Sequence, residues 1–576
     1  MTESGLIGTL NGISQRQEPP APGRLRVTPL GGVGEFGKNC MAIECGEDMI
    51  LVDCGLKFPE DEMLGIDKVI PDFSYVIEHA ERLRGIVLTH GHEDHIGAVA
   101  FLARQLGPAR TPPIYGSPLT LALVASRLAE MPPDQAPALA PVRGHERARL
   151  GTFEIEFLPV AHSMPEAMAL SIDTPAGRLF HTGDYKMDEG AADSPMPAPF
   201  NRLDLDRPCL MLMADSTNVD REGFSPLERD VAAGMAPLVA GADGTVVVAT
   251  FSSSLHRVRT VLELARQCGR KVAVCGLSLE RNYAIATELG LLEASEELVR
   301  PLSEVVRMAP EQRLLMFTGT QGEPESALAR LSRDAFRGYR IQPGDLVILS
   351  SRIIPGNERR IWRMVDHFYR HGARVTTERD AMVHGSGHAY RGEMRRLLEL
   401  MRPRYFMPIH GEARQLILHR DLAIQCGVNP DRVLVVDNGV QVELSDGEGA
   451  IMTPTGWAGQ VMVDGRVMDG VEEVVLRDRR HLSADGMLTV ILVIDTRTRR
   501  IIAGPDIVSR GFVCMDGNEP LIEECKEVVI RTFEQCDLEG QEEWDTVKTS
   551  LRKALRRFLS LRTDRYPVIL PVVVEI

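Results

Sequence analysis

The feature that most constrains this chain is a short stretch in which His90, His92, Asp94 and His95 lie within six residues. Residues 85–88 before it are predicted to form a short buried strand, and the apolar residues 96–102 after it are predicted to begin a helix. A loop between a strand and a helix presents side chains from a rigid base. Because imidazole and carboxylate groups bind zinc and similar ions, this loop is predicted to contribute to a metal site. A polar loop with chance histidines is the alternative.

Other histidines and aspartates follow predicted strands in the same way. A single such residue is usually structural, but the repetition favours a shared site. The residues are His162, Asp184, Asp215 and His410. Asp53 also ends a predicted strand, where it can orient a metal-bound histidine or simply stabilise a turn.

A glycine-rich segment contains the pattern G-x-G-x-x-G at Gly32, Gly34 and Gly37. This pattern indicates dinucleotide binding when a helix follows it. Here residues 40–45 and 49–53 are instead predicted to form a strand hairpin. The glycine-rich loop is therefore predicted to pack against the metal site.

Residues 224–383 are predicted to form a separate α/β unit, because strands such as 245–250 and 346–349 alternate with helical stretches. Ser253, Ser254 and Leu255 open one of these helices. This helix start either caps the helix with serine or offers free N–H groups to a phosphate. Further on, residues 384–388 form a Gly/Ser loop whose N–H groups can converge on an anion, with His388 as a proton donor.

The last segment, from about residue 474, is predicted to be a small α+β domain. Its predicted elements are a strand at 487–495, helices at 522–536 and 544–561, and a strand at 568–574. The last helix has an apolar face formed by Leu551, Leu555, Phe558 and Leu559. The rest of this helix is largely basic, which indicates a solvated face or an RNA-binding one.

Composition limits the classes of protein that remain. The net charge of −16 argues against a protein that coats nucleic acid, although it leaves room for a local basic groove. The 10 cysteines form no C-x-x-C pair, so we expect reduced thiols in a cytoplasmic protein. No apolar run has the length of a membrane span, and residues 1–23 are expected to be a flexible extension without a signal core.

Taken together, these residues resemble a known family. The pattern of His90, His92, Asp94 and His95, followed by His162 and Asp184, is similar to the metallo-β-lactamase superfamily. Its β-CASP branch, which acts on nucleic acids, has additional motifs that resemble this chain at three further positions. They are Asp215, His388 and His410. Residues 58–67, residues 384–389 and the trailing small domain resemble bacterial ribonuclease J.

The resemblance implies an α/β fold in which a metallo-β-lactamase αββα sandwich is interrupted by an inserted β-CASP α/β domain and followed by a small C-terminal α+β domain. The metallo-β-lactamase domain is then discontinuous, with one segment before the insertion and one after it. The expected order is a flexible extension (1–23), the first metallo-β-lactamase segment (24–217), the β-CASP domain (218–383), the second metallo-β-lactamase segment (384–450), a linker (451–473) and the C-terminal domain (474–576).

The resemblance also implies two zinc ions, which manganese or magnesium can replace in vitro. One would be bound by His90, His92 and His162, and the other by Asp94, His95 and His410, with Asp184 between them. Asp94, Asp215 and His388 are the expected catalytic residues, and Asp53 is the expected supporting residue. The residues expected to bind RNA phosphates are Ser253, Ser254, Leu255, His384, Gly385, Ser386, Gly387 and His388.

In function, the resemblance implies a ribonuclease that degrades single-stranded RNA from the 5′ end, preferably 5′-monophosphorylated RNA, and also cuts internally. Metal-activated water would attack the phosphodiester, and the roles would be RNA maturation and mRNA decay. We expect a cytoplasmic homodimer or homotetramer that does not bind membranes, with the helix face of residues 551–559 and the C-terminal domain supporting self-association.

Three alternatives remain at this stage. A β-CASP DNA nuclease is disfavoured because such relatives generally lack a histidine at the position of His410. A small-molecule metallo-hydrolase is disfavoured by the large insert. A non-enzymatic RNA-binding scaffold is disfavoured because every candidate metal ligand is present.

Overall fold

The structure is a computed structural model that describes residues 18–21, 23–60, 62–187, 207–293, 295–354, 356–445, 449–465, 473–495, 497–498, 500–513, 517–536 and 543–576. Most of the predicted N-terminal extension and some of the predicted linker lie outside these residues. The described residues fall into two compact units. The first is drawn from Met1–Lys57 and Ile70–Gln460, and the second from Phe58–Val69 and Val461–Ile576.

The strands and helices are numbered in chain order. The strands are β1 (Arg24–Gly31), β2 (Val33–Gly34), β3 (Cys40–Cys45), β4 (Asp48–Val52), β5 (Lys68–Pro71), β6 (Leu83–Val87), β7 (Ile114–Gly116), β8 (Leu139–Pro141), β9 (Arg147–Leu150), β10 (Phe153–Pro159), β11 (Met168–Thr174), β12 (Gly177–His181), β13 (Cys209–Asp215), β14 (Val246–Ala249), β15 (Lys271–Cys275), β16 (Arg313–Phe317), β17 (Leu346–Leu349), β18 (Arg374–Thr376), β19 (Tyr405–Ile409), β20 (Gly411–Glu412), β21 (Val440–Ser445), β22 (Ile451–Pro454), β23 (Gln460–Val463), β24 (Met487–Asp495), β25 (Arg500–Arg510) and β26 (Val568–Glu575). The α-helices are α1 (Ser74–Glu78), α2 (Glu93–Ile96), α3 (Val99–Leu106), α4 (Pro118–Leu128), α5 (Glu228–Ala240), α6 (Leu255–Gln267), α7 (Leu277–Glu288), α8 (Leu302–Val305), α9 (Ala327–Ser332), α10 (Glu358–Arg370), α11 (Arg391–Met401), α12 (Ala413–Gln425), α13 (Glu473–Asp485), α14 (Glu519–Glu534) and α15 (Glu543–Thr563).

Two sheets form the main core of the first unit. One has the order β22-β21-β1-β3-β4-β6-β7-β8, and the other β19-β13-β12-β11-β10-β9. Buried side chains of both sheets, such as Ile43 and Val87 from one and Phe157 and Leu179 from the other, form a single apolar cluster. A second cluster packs α11 and α12 on the outer face of the second sheet, through residues such as Met394, Leu422 and Phe406. The sandwich is thus assembled from residues on both sides of a long insertion.

The insertion contains its own parallel sheet of order β15-β16-β14-β17-β18. Strands such as β14 and β17 are fully buried apolar runs, as expected for a parallel sheet covered by helices. The carboxyl ends of β14, β16 and β17 lie side by side, because these strands pair in parallel register. Ligands of open parallel sheets usually bind at this edge.

Local predictions were confirmed except where tertiary contacts intervened. The hairpin after the glycine-rich loop is present as β3 and β4. The helix predicted from Ile96 begins instead at Val99, because Gly97 and Ala98 turn the chain and the Ala98 N–H donates to the Cys54 carbonyl at 2.9 Å. None of the helices in the described ranges combines the length and apolar character that a membrane crossing requires.

In the second unit, α14 and α15 cover one face of the three-stranded sheet β25-β24-β26. Leu551, Leu555 and Leu559 are fully buried in that core, and Phe558 packs against it. The expectation that this helix face is available for self-association is therefore wrong, since the face is already used to cover the domain's own sheet. Strand β25 and helix α13 were not predicted.

Candidate metal centre

The candidate site lies where several chain segments leave the sandwich at one edge. Strands β12, β13 and β19 are parallel neighbours, and Asp184, Asp215 and His410 lie at or just beyond their carboxyl ends. His162 follows β10 of the same sheet, and the loop of residues 90–95 follows β6 of the opposite sheet. Carboxyl ends of parallel strands meet at one edge, so residues more than 200 positions apart come together.

A first group of donors consists of His90, His92, His162 and Asp184, whose ligand atoms all lie within 4.8 Å of one another. His92 Nδ1 is 2.9 Å from His90 Nε2 and 3.1 Å from His162 Nε2. Burial lowers the pKa of His92 to about 4, and lowers that of His90 and His162 well below the ordinary value. All three rings are therefore neutral at neutral pH, the state that binds a metal ion.

A second group consists of Asp94, His95, Asp184 and His410. His410 Nε2 is 3.3 Å from Asp94 Oδ2, and His95 Nε2 is 3.3 Å from Asp184 Oδ2. Burial opposes protonation of His410, but the carboxylates, Asp184 first, raise its pKa to about 9. The pKa of His95 is likewise raised well above its ordinary value, against burial, by Asp184 and Asp94. The carboxylates of Asp94 and Asp184 are therefore stabilised by positive charge on His95 and His410, or by a cation between these side chains.

The chemistry of these donor groups fits metal ions. Asp184 is 2% exposed, and its Oδ1 accepts no hydrogen bond from the described residues. Three neutral imidazoles pointing lone pairs at one spot repel each other unless a cation lies between them. Imidazole with carboxylate is a donor set that zinc-class ions prefer.

In three of the rings the nitrogen that faces away from the site is held in place. His95 Nδ1 donates to Asp53 Oδ2 at 2.8 Å, and His90 Nδ1 lies 3.0 Å from the Thr89 hydroxyl, which donates to Asp53. His162 Nδ1 donates to the Gly387 carbonyl at 2.8 Å. Such partners fix the tautomer and direct the other nitrogen toward the site.

A third group adds His388 and Asp215 to Asp184 and His410. His388 Nδ1 donates to Asp215 Oδ2 at 2.8 Å, and Asp215 is fully buried. The Thr217 hydroxyl donates to Asp215 Oδ1 and lies 2.8 Å from His410 Nδ1. Burial opposes charging of His388, yet Asp215 and then Asp184 raise its pKa above the ordinary value.

The backbone of the site is strained or tightly packed at several positions. Asp53 has φ +61° and His410 φ +53°, a region that non-glycine residues seldom adopt and that concentrates at functional sites. A Cβ on Gly387 would lie 2.8 Å from the His162 ring, and one on Gly55 would overlap the Asp94 carbonyl. The glycine-rich loop packs here as predicted, since the Asn39 N–H donates to that same carbonyl at 3.0 Å.

The predicted phosphate-binding residues are placed in two segments outside the first two donor groups. His384–Gly387 lead into His388, and burial followed by the Arg257 charge lowers the pKa of His384 to about 3. Ser254 is the N-cap of α6, but its side chain makes no cap hydrogen bond, which leaves the hydroxyl free of that role. The Leu255 N–H is already donated to the Ser253 carbonyl.

Two residues that organise these segments were not predicted from the sequence. Arg257, 1% exposed, donates two hydrogen bonds to Glu228 and one to the Val383 carbonyl at 2.9 Å, and also contacts Ser350. Asn218, fully buried, donates to the Ser386 hydroxyl at 2.8 Å. The sequence did contain one indication of the role of Arg257, because this charged residue lies on the apolar face of a predicted helix.

Family models match most of this chain. "Beta-lactamase superfamily domain" matches residues 48–200, "Ribonuclease J, beta-CASP domain" 243–368, "Zn-dependent metallo-hydrolase RNA specificity domain" 372–431, and "Ribonuclease J C-terminal domain" 474–576. A solved structure of a protein of unknown function from Enterococcus faecalis shares the fold, with TM-score 0.50, 16% identity, 73% of this chain and 100% of that chain covered. Fold and site therefore define a metallo-β-lactamase-fold hydrolase with an inserted β-CASP domain.

Curated relatives narrow this class. The chain is 38% identical to "Ribonuclease J" of Corynebacterium glutamicum, covering 99% of this chain and 79% of the relative. It is 35% identical to "Ribonuclease J 1" of Streptococcus pyogenes (96% and 98% covered) and 34% identical to "Ribonuclease J2" of Bacillus subtilis (96% and 99%). The chain belongs to the ribonuclease J family of metal-dependent, RNA-hydrolysing enzymes. This membership favours the ribonuclease interpretation over the three alternatives.

The Arg257 network gives a stability prediction. Arg257→Met should lower the free energy of unfolding by about 2–4 kcal/mol, because it leaves Glu228 without its partner. Burial opposes the charge on Glu228, but Arg257 lowers its pKa below the ordinary 4.5. The contribution of a depressed carboxyl is present above that value and lost as pH falls through the folded pKa.

Urea unfolding of the full chain at pH 7 and pH 4 measures the free energy that Arg257→Met removes and its dependence on pH. The control is Arg266→Met, which removes an exposed arginine paired with Glu293 and should change stability by no more than about 0.5 kcal/mol. Equal unfolding midpoints for the two variants would contradict the role of Arg257.

Proposed function

We propose that this chain is a zinc-dependent 5′-to-3′ exoribonuclease that also cuts single-stranded RNA internally, and that it acts in RNA maturation and mRNA decay. The observation that carries the proposal is the convergence of two donor groups on the shared Asp184, next to a His388–Asp215 pair that belongs to neither group of imidazoles. His90, His92 and His162 would bind one ion, Asp94, His95 and His410 the other, and Asp184 both.

In the proposed mechanism, metal ions held by these residues would supply Lewis acidity for the phosphodiester and would lower the pKa of an attacking water. The chain's own residues do the rest. Asp215 and Asp184 raise the pKa of His388 against the effect of burial, and the raised pKa favours the protonated imidazole; that form can give a proton to the leaving oxygen or hydrogen-bond the phosphate. Asp215 keeps that imidazole oriented through Nδ1, so that Nε2 is the nitrogen available to substrate.

Positioning of the RNA follows from the neighbouring segments. The backbone of residues 384–388 and the Ser253 and Ser254 hydroxyls would contact phosphates next to the scissile bond. Since His162 donates to the Gly387 carbonyl, the phosphate loop and the first donor group are one rigid assembly. A fixed distance between a terminal phosphate and the reacting phosphate is what removal of single nucleotides requires.

Two alanine variants separate metal binding from proton transfer. His95→Ala should lower the metal content from about two ions per chain and abolish RNA cleavage, because a donor is lost. His388→Ala should retain near-normal metal content and lower turnover by roughly 10²–10⁴-fold, the usual contribution of a general acid. Elemental analysis and cleavage of single-stranded RNA measure the two effects.

His481→Ala, which changes an exposed histidine on α13, is the matched control and should alter neither quantity. Full activity of His95→Ala, or of the wild-type enzyme in excess chelator, would contradict the two-metal proposal. Parallel loss of metal and activity in His388→Ala would make His388 a ligand instead of an acid.

Polarity gives a second test. RNA with a 5′-monophosphate should be degraded to mononucleotides from its 5′ end, whereas 5′-triphosphorylated RNA should resist this mode. The extra phosphates add bulk and negative charge that a site for one phosphate does not accommodate, in a chain whose net charge is already −16. The assay follows 3′-labelled RNA, with a circular RNA of the same sequence reporting internal cleavage alone. Early release of the 3′ label as mononucleotide, with the 5′ portion intact, would reverse the polarity.

We also propose self-association through the second unit, by a surface other than the helix face first expected. The sheet face opposite α14 and α15 carries Val508 and Leu570, both registered with Thr489 of β24 and 40% and 46% exposed. Val508→Asp and Leu570→Asp should reduce the molar mass in light scattering, because charge on an apolar interface opposes its burial. Ile530→Asp, which changes an exposed side chain on α14, is the control. Unchanged mass in both sheet variants would reject this surface.

A further inference from the structure

An unassigned group of side chains connects the His384–His388 loop to the inserted sheet. Asn218 donates through Nδ2 to the Ser386 hydroxyl at 2.8 Å and to the His388 carbonyl at 3.3 Å. Its Oδ1 accepts from Arg352 Nη1 at 2.7 Å. One guanidinium therefore lies directly beside the loop that carries the proposed proton donor.

Arg352 is held rigidly at a ligand-binding edge. It follows β17, whose parallel neighbour β14 leads to Ser253, so the two residues share the carboxyl edge of the inserted sheet. The buried side chain of Gln321 clamps the backbone here, donating to the Arg352 carbonyl at 2.8 Å and accepting from the Ile354 N–H at 3.0 Å. A fixed backbone reduces the entropy lost when the side chain binds a ligand.

A second arginine lies close by. The backbone N–H of Arg221 donates to the Asn218 carbonyl at 2.9 Å. The Arg221 guanidinium donates to the Tyr390 hydroxyl at 2.9 Å and lies 5.5 Å from the centre of the Tyr390 ring. Burial and then the charge of Arg221 lower the pKa of Arg352. Both arginines thus contact Asn218, Arg352 through its guanidinium and Arg221 through its backbone N–H, and an anion shared by the two guanidinium groups would offset the repulsion between their like charges.

Nearby acids do not neutralise this pair. Asp220 is paired with Arg414 at 2.7 Å and Glu222 with Arg391 at 3.4 Å. Glu378 and Asp220 raise the pKa of Arg352 electrostatically, but across the described ranges no carboxylate lies within ion-pair distance of Arg352 or Arg221. The guanidinium of Arg352 uses one of its five N–H groups on Asn218, which leaves a donor edge for a phosphate.

We propose that Arg221 and Arg352, the arginine pair, form a phosphate-binding site for the RNA chain, separate from the metal donors and adjacent to the His384–His388 loop. The inference rests on the proposed ribonuclease function. The ligand is a phosphate group of RNA, supplied either by the 5′ terminus or by an internal phosphodiester. Planar guanidinium groups suit such a ligand because they donate two parallel hydrogen bonds to it.

The experiment measures binding, apart from catalysis. Arg352→Gln, Arg352→Lys and Arg221→Gln are made in a His388→Ala background, and their affinity for a short single-stranded RNA is measured by fluorescence anisotropy over a range of salt. Arg352→Gln should weaken binding by about tenfold or more, as expected for loss of a charged hydrogen bond. The slope of log affinity against log salt should fall by about 0.7, the value for one phosphate contact on a single strand. Arg221→Gln should act in the same direction, and Arg352→Lys should keep the slope while losing some of the affinity.

Controls separate the explanations. Arg266→Gln removes an exposed arginine at the far end of α6 and should leave the affinity and slope nearly unchanged. RNA with a 5′-phosphate and RNA with a 5′-hydroxyl show which phosphate is bound. A loss of affinity only for the 5′-phosphorylated RNA assigns the terminal phosphate, and an equal loss of affinity for both RNAs assigns an internal phosphate. If Arg352→Gln matches Arg266→Gln in affinity and slope while lowering turnover of the otherwise wild-type enzyme, the proposal is overturned and Arg352 only positions Asn218. If the wild-type enzyme shows no preference for 5′-monophosphorylated RNA, the proposed 5′-to-3′ polarity is rejected. The dependence of RNA affinity on salt would still show whether the arginine pair binds a phosphate.

Discussion

The site depends on one buried carboxylate. Asp184 is 2% exposed, follows the central strand β12, and belongs to all three donor groups. An isolated charge at such a depth is strongly unfavourable, so its surroundings must supply positive charge. His95 and His410 do so by holding protons, while His90, His92 and His162 remain neutral and present lone pairs. Bound metal ions would suit both sets of histidines. They would replace the protons on His95 and His410, and they would accept the lone pairs of His90, His92 and His162.

The surrounding hydrogen bonds explain why these side chains stay in place. Asp53 orients His95 directly and His90 through Thr89, and Thr217 connects His410 to Asp215. Asp53 and Thr89 are both buried, and Asp53 also has a positive φ, whose cost a rigid scaffold must store. The same rigidity extends into the inserted sheet, since Arg257 fixes Val383 and Asn218 fixes Ser386. The His384–His388 loop is therefore ordered jointly by the sandwich and by its insertion.

Sequence patterns predicted most of the local structure, because strands with apolar alternation or apolar runs and strong turn residues carry their own signal. The hairpin of β3 and β4 and the strand β24 were predicted within about a residue of their observed ends. The predictions failed where a distant contact decided the outcome. The helix expected from Ile96 starts later because Ala98 bonds to Cys54, and the apolar face of α15 is covered by its own domain. Periodicity indicates that a face is buried, but it does not say against what.

The sequence by itself determined which residue types stand at strand ends, and the spacing of His90, His92, Asp94 and His95 was sufficient to indicate metal chemistry. The family resemblance needed further motifs, among them Asp215, His388 and His410. The family resemblance also implied how these residues group around Asp184. Only the tertiary structure decided which partner fixes the second nitrogen of His90, His95 and His162. It alone placed Arg257, Asn218 and Arg352 beside the His384–His388 loop, although little in their local sequence distinguishes them. The physical reason is that charge neutralisation and hydrogen bonding act through space over a few ångströms. Residues hundreds of positions apart meet only when parallel strands bring their carboxyl ends to one edge.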